Sequence, residues 1–230
     1  MQYLLFILTL LLPAAFAVAQ DLPQEPSQKP ISTEQTTNVA ARAETAATTN
    51  QMNTSRVFFL MDAGVQYADE GEYAEAERAY QRALKADPNN PDIRLRLSTL
   101  YIQMKQYAKA VDLLEALSKE FPGNPMVENN LSWTYATGGE MKNGKLALRH
   151  AREAILSVQT QPSLWNTLAE AYYMSGQYDK ALRASECAID LLKVQGASAK
   201  EIAPFEEQRA KIQRAGQGYK MLLGLDDEEK

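Results

Sequence analysis

The chain repeats itself every 34 residues. Tyr73 and Tyr107 are 107 − 73 = 34 residues apart, and so are Pro88 and Pro122 (122 − 88 = 34). Between them one spacing of small and aromatic residues recurs. The first copy reads Gly64, Tyr67, Gly71, Tyr73, Ala76, Tyr80 and Ala83; the second reads Ser98, Tyr101, Lys105, Tyr107, Ala110, Leu114 and Leu117. A fixed period of this size means stacked units in place of one closed core. Such a unit cannot bury its apolar face alone, so neighbours stack and the last one needs a lid.

The pattern inside each period is helical. Apolar and small residues fall at steps of three and four, as in Leu60, Ala63, Gly64 and Tyr67, then Ala76, Ala79, Tyr80, Ala83 and Leu84. The breaks are short: Asp69-Glu70-Gly71-Glu72 inside the first unit, Asp87-Pro88-Asn89-Asn90-Pro91 at its end. Each unit therefore reads as helix, tight turn, helix and Pro-bearing turn.

These residues resemble the tetratricopeptide repeat (TPR), whose unit runs W-x-x-L-G-x-x-Y, then G-x-Y, then A-x-x-x-F/Y-x-x-A and a late Pro. Four units align: 57–90, 91–124, 125–161 and 162–195. The fourth supplies Trp165, Leu168, Ala169, Tyr172, Gly176, Tyr178, Ala181 and Ala188, but ends on Lys193-Val194-Gln195-Gly196 without the late Pro. The third keeps Leu131, Ser132 and Tyr135 and then lengthens. Tyr107 to Tyr178 is 178 − 107 = 71 residues, two periods plus three, and the extra residues fall between Thr137 and Gly144. Added length in a turn costs little. The string around Asn129-Asn130-Leu131-Ser132-Trp133 is similar to a subset of bacterial TPR proteins. Ser198-Ala199-Lys200-Glu201 is a capping box, so a lid helix is expected over 198–215, with a bend at Pro204, a stop at Gly216 and a tail over 216–230. The expected fold is all-α, a right-handed superhelical solenoid of about four helix-turn-helix repeats with a C-terminal capping helix.

The resemblance also implies a site. The family's concave groove is lined by the first helix of each unit. Its positions fall here on Phe58, Met61 and Val65, on Leu95, Thr99 and Ile102, on Met126, Asn129 and Trp133, and on Asn166, Glu170 and Tyr173. This set is apolar, aromatic and amide-bearing, suited to an extended peptide or an amphipathic helix, with Trp133 and Tyr173 as anchors. Family members that grip acidic chaperone tails use Lys and Asn where this chain has Met61 and Val65, so that partner class does not fit. The expected partner is a protein or peptide.

The N-terminus has its own pattern. The first nineteen residues carry no charged side chain, and Ala17-Val18-Ala19 followed by Gln20 suits a signal peptidase. The expectation is an exported chain with signal peptide 1–19, periplasmic or extracellular. The alternative is an uncleaved segment that anchors it in the inner membrane, facing the periplasm. Residues 20–56 are rich in Thr, Gln, Ala and Pro, and read as a disordered linker.

Composition narrows the function further. The net charge is −5, a poor match for nucleic acid. Units differ: residues 57–90 hold seven acids and three bases, 3 − 7 = −4. Lone Cys187 cannot build a disulfide framework or a zinc site and reads as a small buried residue. His150, the single histidine, lies in a polar stretch and reads as a surface residue, with no Ser or Cys and supporting acid to make it catalytic. There is no phosphate-binding glycine loop. No catalytic, cofactor-binding or metal-ligating residue is expected, and no enzyme. The reading is an interaction scaffold of the bacterial envelope; the alternatives are a self-assembling structural protein or a membrane-anchored accessory subunit of an envelope assembly or secretion complex.

Overall fold

The computed structural model describes residues 33–225, with side chains from 51 onward and at Arg42 and Thr48. The signal peptide, the first part of the linker and the last five residues lie outside the described residues. The chain divides into two units, Met1–Ala47 and Thr48–Lys230. The first contributes only the opening of α1 (Thr33–Asp69); the second holds every repeat.

The repeats are helix pairs. The end of α1 pairs with α2 (Tyr73–Ala86), α3 (Pro91–Gln103) with α4 (Tyr107–Glu120), α5 (Pro125–Thr137) with α6 (Gly144–Ser157), and α7 (Pro162–Met174) with α8 (Tyr178–Val194). The last helix, α9, spans Ala199–Leu222. The described residues hold helices and no strand. The first helices of units two and three start in the same way. Asn90 accepts hydrogen bonds from the N–H groups of Asp92 and Ile93, and Asn124 from those of Met126 and Val127. Pro91, Pro125 and Pro162 occupy the first turn, where the absent N–H is not needed.

The turns inside the units share a left-handed residue: Gly71 at φ +81°, Lys105 at +59° and Gly176 at +68°. Three residues separate the two helices in units one, two and four (70–72, 104–106 and 175–177). In unit three the gap is 138–143, six residues, with a 3-10 turn at Gly139–Met141. The three-residue insertion expected there is thus found in place.

Small residues set the helix spacing. A Cβ on Gly64 would lie 2.5 Å from the Tyr80 ring, so only glycine lets α1 approach α2 this closely. Ala76, Ala110, Ala147 and Ala181, one per unit, are fully buried, as are Ser98, Ser132 and Ala169. Leu100, Leu114 and Leu131 fill the space between them, part of one core running through the stack.

Two expectations are corrected. Residues 33–56, read as disordered linker, are helical and continuous with unit one. Alanines and long unbranched side chains are good helix formers, no Gly or Pro interrupts 31–63, and a packed helix end propagates into such a segment at little cost. The lid also runs past 215: Gly216 lies inside α9, and the stop comes at Leu223-Gly224, where Gly224 takes φ +68°. Gly216 serves contact instead, since a Cβ there would stand 3.1 Å from Tyr178 Cβ. The capping box forms as expected, with Glu201 N–H donating to Ser198 Oγ and Ser198 N–H to Glu201.

Candidate functional site

The first helices of units one to three bring part of the expected groove together. A cavity of about 440 Å³ is lined by Val65 and Ala68 of α1, Leu95, Thr99 and Gln103 of α3, and Met126 of α5. Its floor includes Tyr80, whose hydroxyl pKa burial raises and Arg96 partly draws back. Asp69, Asp92 and Arg96 complete the lining, so an apolar trough carries charges of both signs. Thr99 and Met126 are exposed; Val65 and Leu95 are half-buried and rest on the core. Asn130 of α5 donates from Nδ2 to Thr99 Oγ1 at 3.1 Å, tying two first helices together beside the cavity.

The remaining expected positions divide. Phe58 is fully displayed at 74 % exposure, while Met61 and Ile102 are half-buried against the core. Asn129 and Trp133 are half-buried on α5. Asn129 Oδ1 is buried without a hydrogen-bond partner, as is Asn166 Oδ1 at the matching place in unit four.

Unit four is closed. Gln208 Nε2 of α9 donates to Glu170 Oε2 at 2.9 Å and to the Asn166 carbonyl at 3.3 Å. Lys211 Nζ donates to Glu170 Oε1 at 3.0 Å and sits 4.3 Å above the Tyr173 ring. Glu170 is buried under these contacts. Asn166, Glu170 and Tyr173 therefore seat the lid. Their chemistry explains it: a buried carboxylate needs a cation and a donor, and α9 supplies both.

Sequence reasoning misplaced His150. It is buried, not a surface residue. The corresponding positions of units one and four are Ala79 and Ala184, also buried; here the larger ring fills the space with a partner. His150 Nδ1 lies 2.6 Å from Glu128 Oε2, and the ring stacks on Tyr135 with centroids 5.8 Å apart. Arg149, always a donor, approaches Nε2 at 3.0 Å. That makes Nε2 the acceptor and places the ring proton on Nδ1, facing Glu128. Ser118 Oγ donates to Glu128 Oε1 at 2.6 Å. The three residues form a closed polar link between α4, α5 and α6. Only the pairing of a buried acid with a lone histidine could have signalled it, and neither burial is visible in a linear string. Cys187 is half-buried rather than fully so.

Comparison with known proteins agrees with this architecture. Tetratricopeptide-repeat profiles match residues 67–130 and 165–190. The unmatched stretch between them contains the lengthened turn of unit three. Similar solved structures include TTC0263, a thermophilic TPR protein of Thermus thermophilus (19 % identity, 75 % of this chain and 93 % of that one, TM-score 0.58). MamA 41-end from Desulfovibrio magneticus RS-1 matches at 16 % identity, over 76 % and 97 % of the two chains, with TM-score 0.51. The APC/C hetero-tetramer Cut9-Hcn1 matches at 16 % identity, over 74 % of this chain and 31 % of that one, with TM-score 0.62. No curated protein shows significant sequence similarity to the chain. The fold and the matched repeats are those of a helical-repeat interaction scaffold. Over residues 67–130 and 165–190 the chain carries tetratricopeptide repeats.

Proposed function

We propose that the chain is an exported adaptor of the bacterial cell envelope that holds one segment of a partner protein in the groove of units one to three. The observation that carries this reading is the convergence of Val65, Leu95, Thr99 and Met126, from three consecutive first helices, on one 440 Å³ cavity. Such a space accepts one or two apolar side chains. Asp69, Asp92 and Arg96 at its wall would orient the polar remainder of an extended peptide or helix. Because the lid occupies unit four, the partner segment is short, about three units long. TPR scaffolds are typically not enzymes, and any chemistry would lie on the partner. Export rests on the uncharged first nineteen residues and the Ala17-Val18-Ala19 cleavage pattern.

A photo-crosslinking residue at Thr99 is expected to capture the partner in cells, with mass spectrometry locating the captured segment. Met126→Glu or Trp133→Ala is then expected to weaken binding of that segment, as a synthetic peptide, by about tenfold or more, with the helical circular dichroism unchanged. Equal affinity in both variants would rule out the groove. Sequencing of the mature N-terminus tests export separately, Gln20 being the residue expected first.

A further inference from the structure

Two helix faces of the stack are exposed and complementary, although on the second Arg149 also reaches His150 Nε2 and Arg152 lies 5.8 Å from the Tyr172 ring. On α1 the residues turned away from α2 and α3 are Phe59, Asp62, Gln66 and, one residue past the helix end, Glu70. They recur at three- and four-residue steps, one stripe on one face, and all are exposed, Phe59 at 72 %. This is the face that a preceding unit would cover in a longer stack. On α6 the stripe opposite the buried Ala147, Ala151 and Ala154 is Lys145, Arg149, Arg152 and Leu156, exposed throughout, with Leu156 at 74 %. The same four residues line an open cavity of about 1000 Å³ beside the turn that precedes α8. Among the described residues, no ion pair involves Asp62, Glu70, Lys145, Arg149 or Arg152.

The stripes match in length and in order. Phe59 to Glu70 is 70 − 59 = 11 residues, and Lys145 to Leu156 is 156 − 145 = 11, about 16 Å of helix in each case. Laid antiparallel, they fall into a single register. Phe59 meets Leu156, Asp62 meets Arg152, Gln66 meets Arg149 and Glu70 meets Lys145. An apolar contact at one end and two opposite-charge pairs would all form together. The mirror alignment fails, because parallel packing sets Phe59 on Lys145 and Glu70 on Leu156.

We propose that α1 of one copy docks antiparallel on α6 of a second copy, through this register. The two faces belong to different helices, so the contact is heterologous: each bound copy still presents a free α6 stripe or a free α1 stripe, and chains can grow. One helix face per copy is a small interface, below the roughly 1,200 Å² of stable complexes, so association belongs at tens of micromolar and above. The charges supply register and partner choice more than strength. The proposal goes beyond the groove reading and does not depend on it, since the groove lies on another face of the first helices.

Sedimentation velocity on the full chain, from about 5 to 500 micromolar, tests it. The weight-average mass is expected to rise with concentration and to fall when salt screens the pairs. Asp62→Arg and Arg152→Glu are each expected to weaken association about tenfold. An equimolar mixture of the two variants is expected to associate again, because the reversed α1 face of one then meets the reversed α6 face of the other. Both changes are on exposed positions, and circular dichroism checks that the fold is kept. A chain that stays monomeric over the whole range overturns the proposal. So does association that ignores both reversals, which would place the contact on another face, and so does a mixture that fails to re-associate.

Discussion

The two ends of this solenoid solve the same problem differently. At the C-terminal end α9 covers the last repeat: Ile212 is fully buried, and Lys211 and Gln208 satisfy Glu170. At the N-terminal end α1 belongs to the first repeat, and among the described residues its outer face is exposed, with Phe59 at 72 %. A stack of units needs a cover at each end. The comparison teaches that, among the described residues, only the C-terminal end is covered by a dedicated helix. The same asymmetry sorts the groove. Units one to three keep it open, and unit four spends its groove residues on the lid.

The sharpest way to break the comparison is to remove the lid. Ile212→Ala is expected to cost about 2–4 kcal/mol, the loss for a fully buried aliphatic side chain, read by chemical denaturation. Hydrogen exchange should localise the loosening to α7–α9. The matched change at the other end, Phe59→Ser, should leave stability within about 0.5 kcal/mol. Equal losses at both ends would mean that the N-terminal face is covered after all. A smaller effect is expected inside unit one. Gly64→Ala forces the Tyr80 ring aside and should cost about 1–3 kcal/mol, loosening α1 and α2 while α7–α9 keep their protection. A last effect, seen only at high pH, concerns the middle of the stack. Tyr135 donates from its hydroxyl to Glu115 Oε1 at 2.8 Å. Burial first, and the Glu115 carboxylate second, push its pKa up to about 12. The unfolded tyrosine loses its proton near 10. The contribution is thus complete below pH 10 and fades as the pH climbs to about 12. Tyr135→Phe should flatten that part of the pH profile, and a spectroscopic titration of the tyrosines should show the late ionisation directly.

Much of the fold was legible because its signals are local. Period, small residues at the helix contacts, Asn-Pro starts, left-handed turn residues and the capping box all lie within one or two turns of the residues they govern. The insertion in unit three was countable from Tyr107 and Tyr178 alone. Where the reading failed, competing information was non-local or weak. The Thr- and Ala-rich stretch 33–56 has no apolar face to announce a helix, yet it continues one that is packed. Gly216 carries the composition of a helix stop, but it lies inside α9, where a Cβ would stand 3.1 Å from Tyr178 Cβ of α8.

The candidate site was legible to a lesser degree. Family spacing named the first-helix positions, and Val65, Leu95, Thr99 and Met126 do share one cavity. It could not say that three further positions, Asn166, Glu170 and Tyr173, would be covered by a helix some forty residues on. Nor could it say that His150 would turn inward to Glu128, since the residue types permit either a solvated or a paired histidine.

By itself, then, the sequence determined the helical repeat, the number of units, the longer turn and the start of the lid, because backbone propensity and hydrophobic period act over a few residues. Only the tertiary structure decided which groove positions stay open, where the lone histidine finds its carboxylate, and which charged stripes stay exposed. Those outcomes depend on how successive helix pairs set one face against the next, and the contacts that settle them join residues 22 to 41 positions apart.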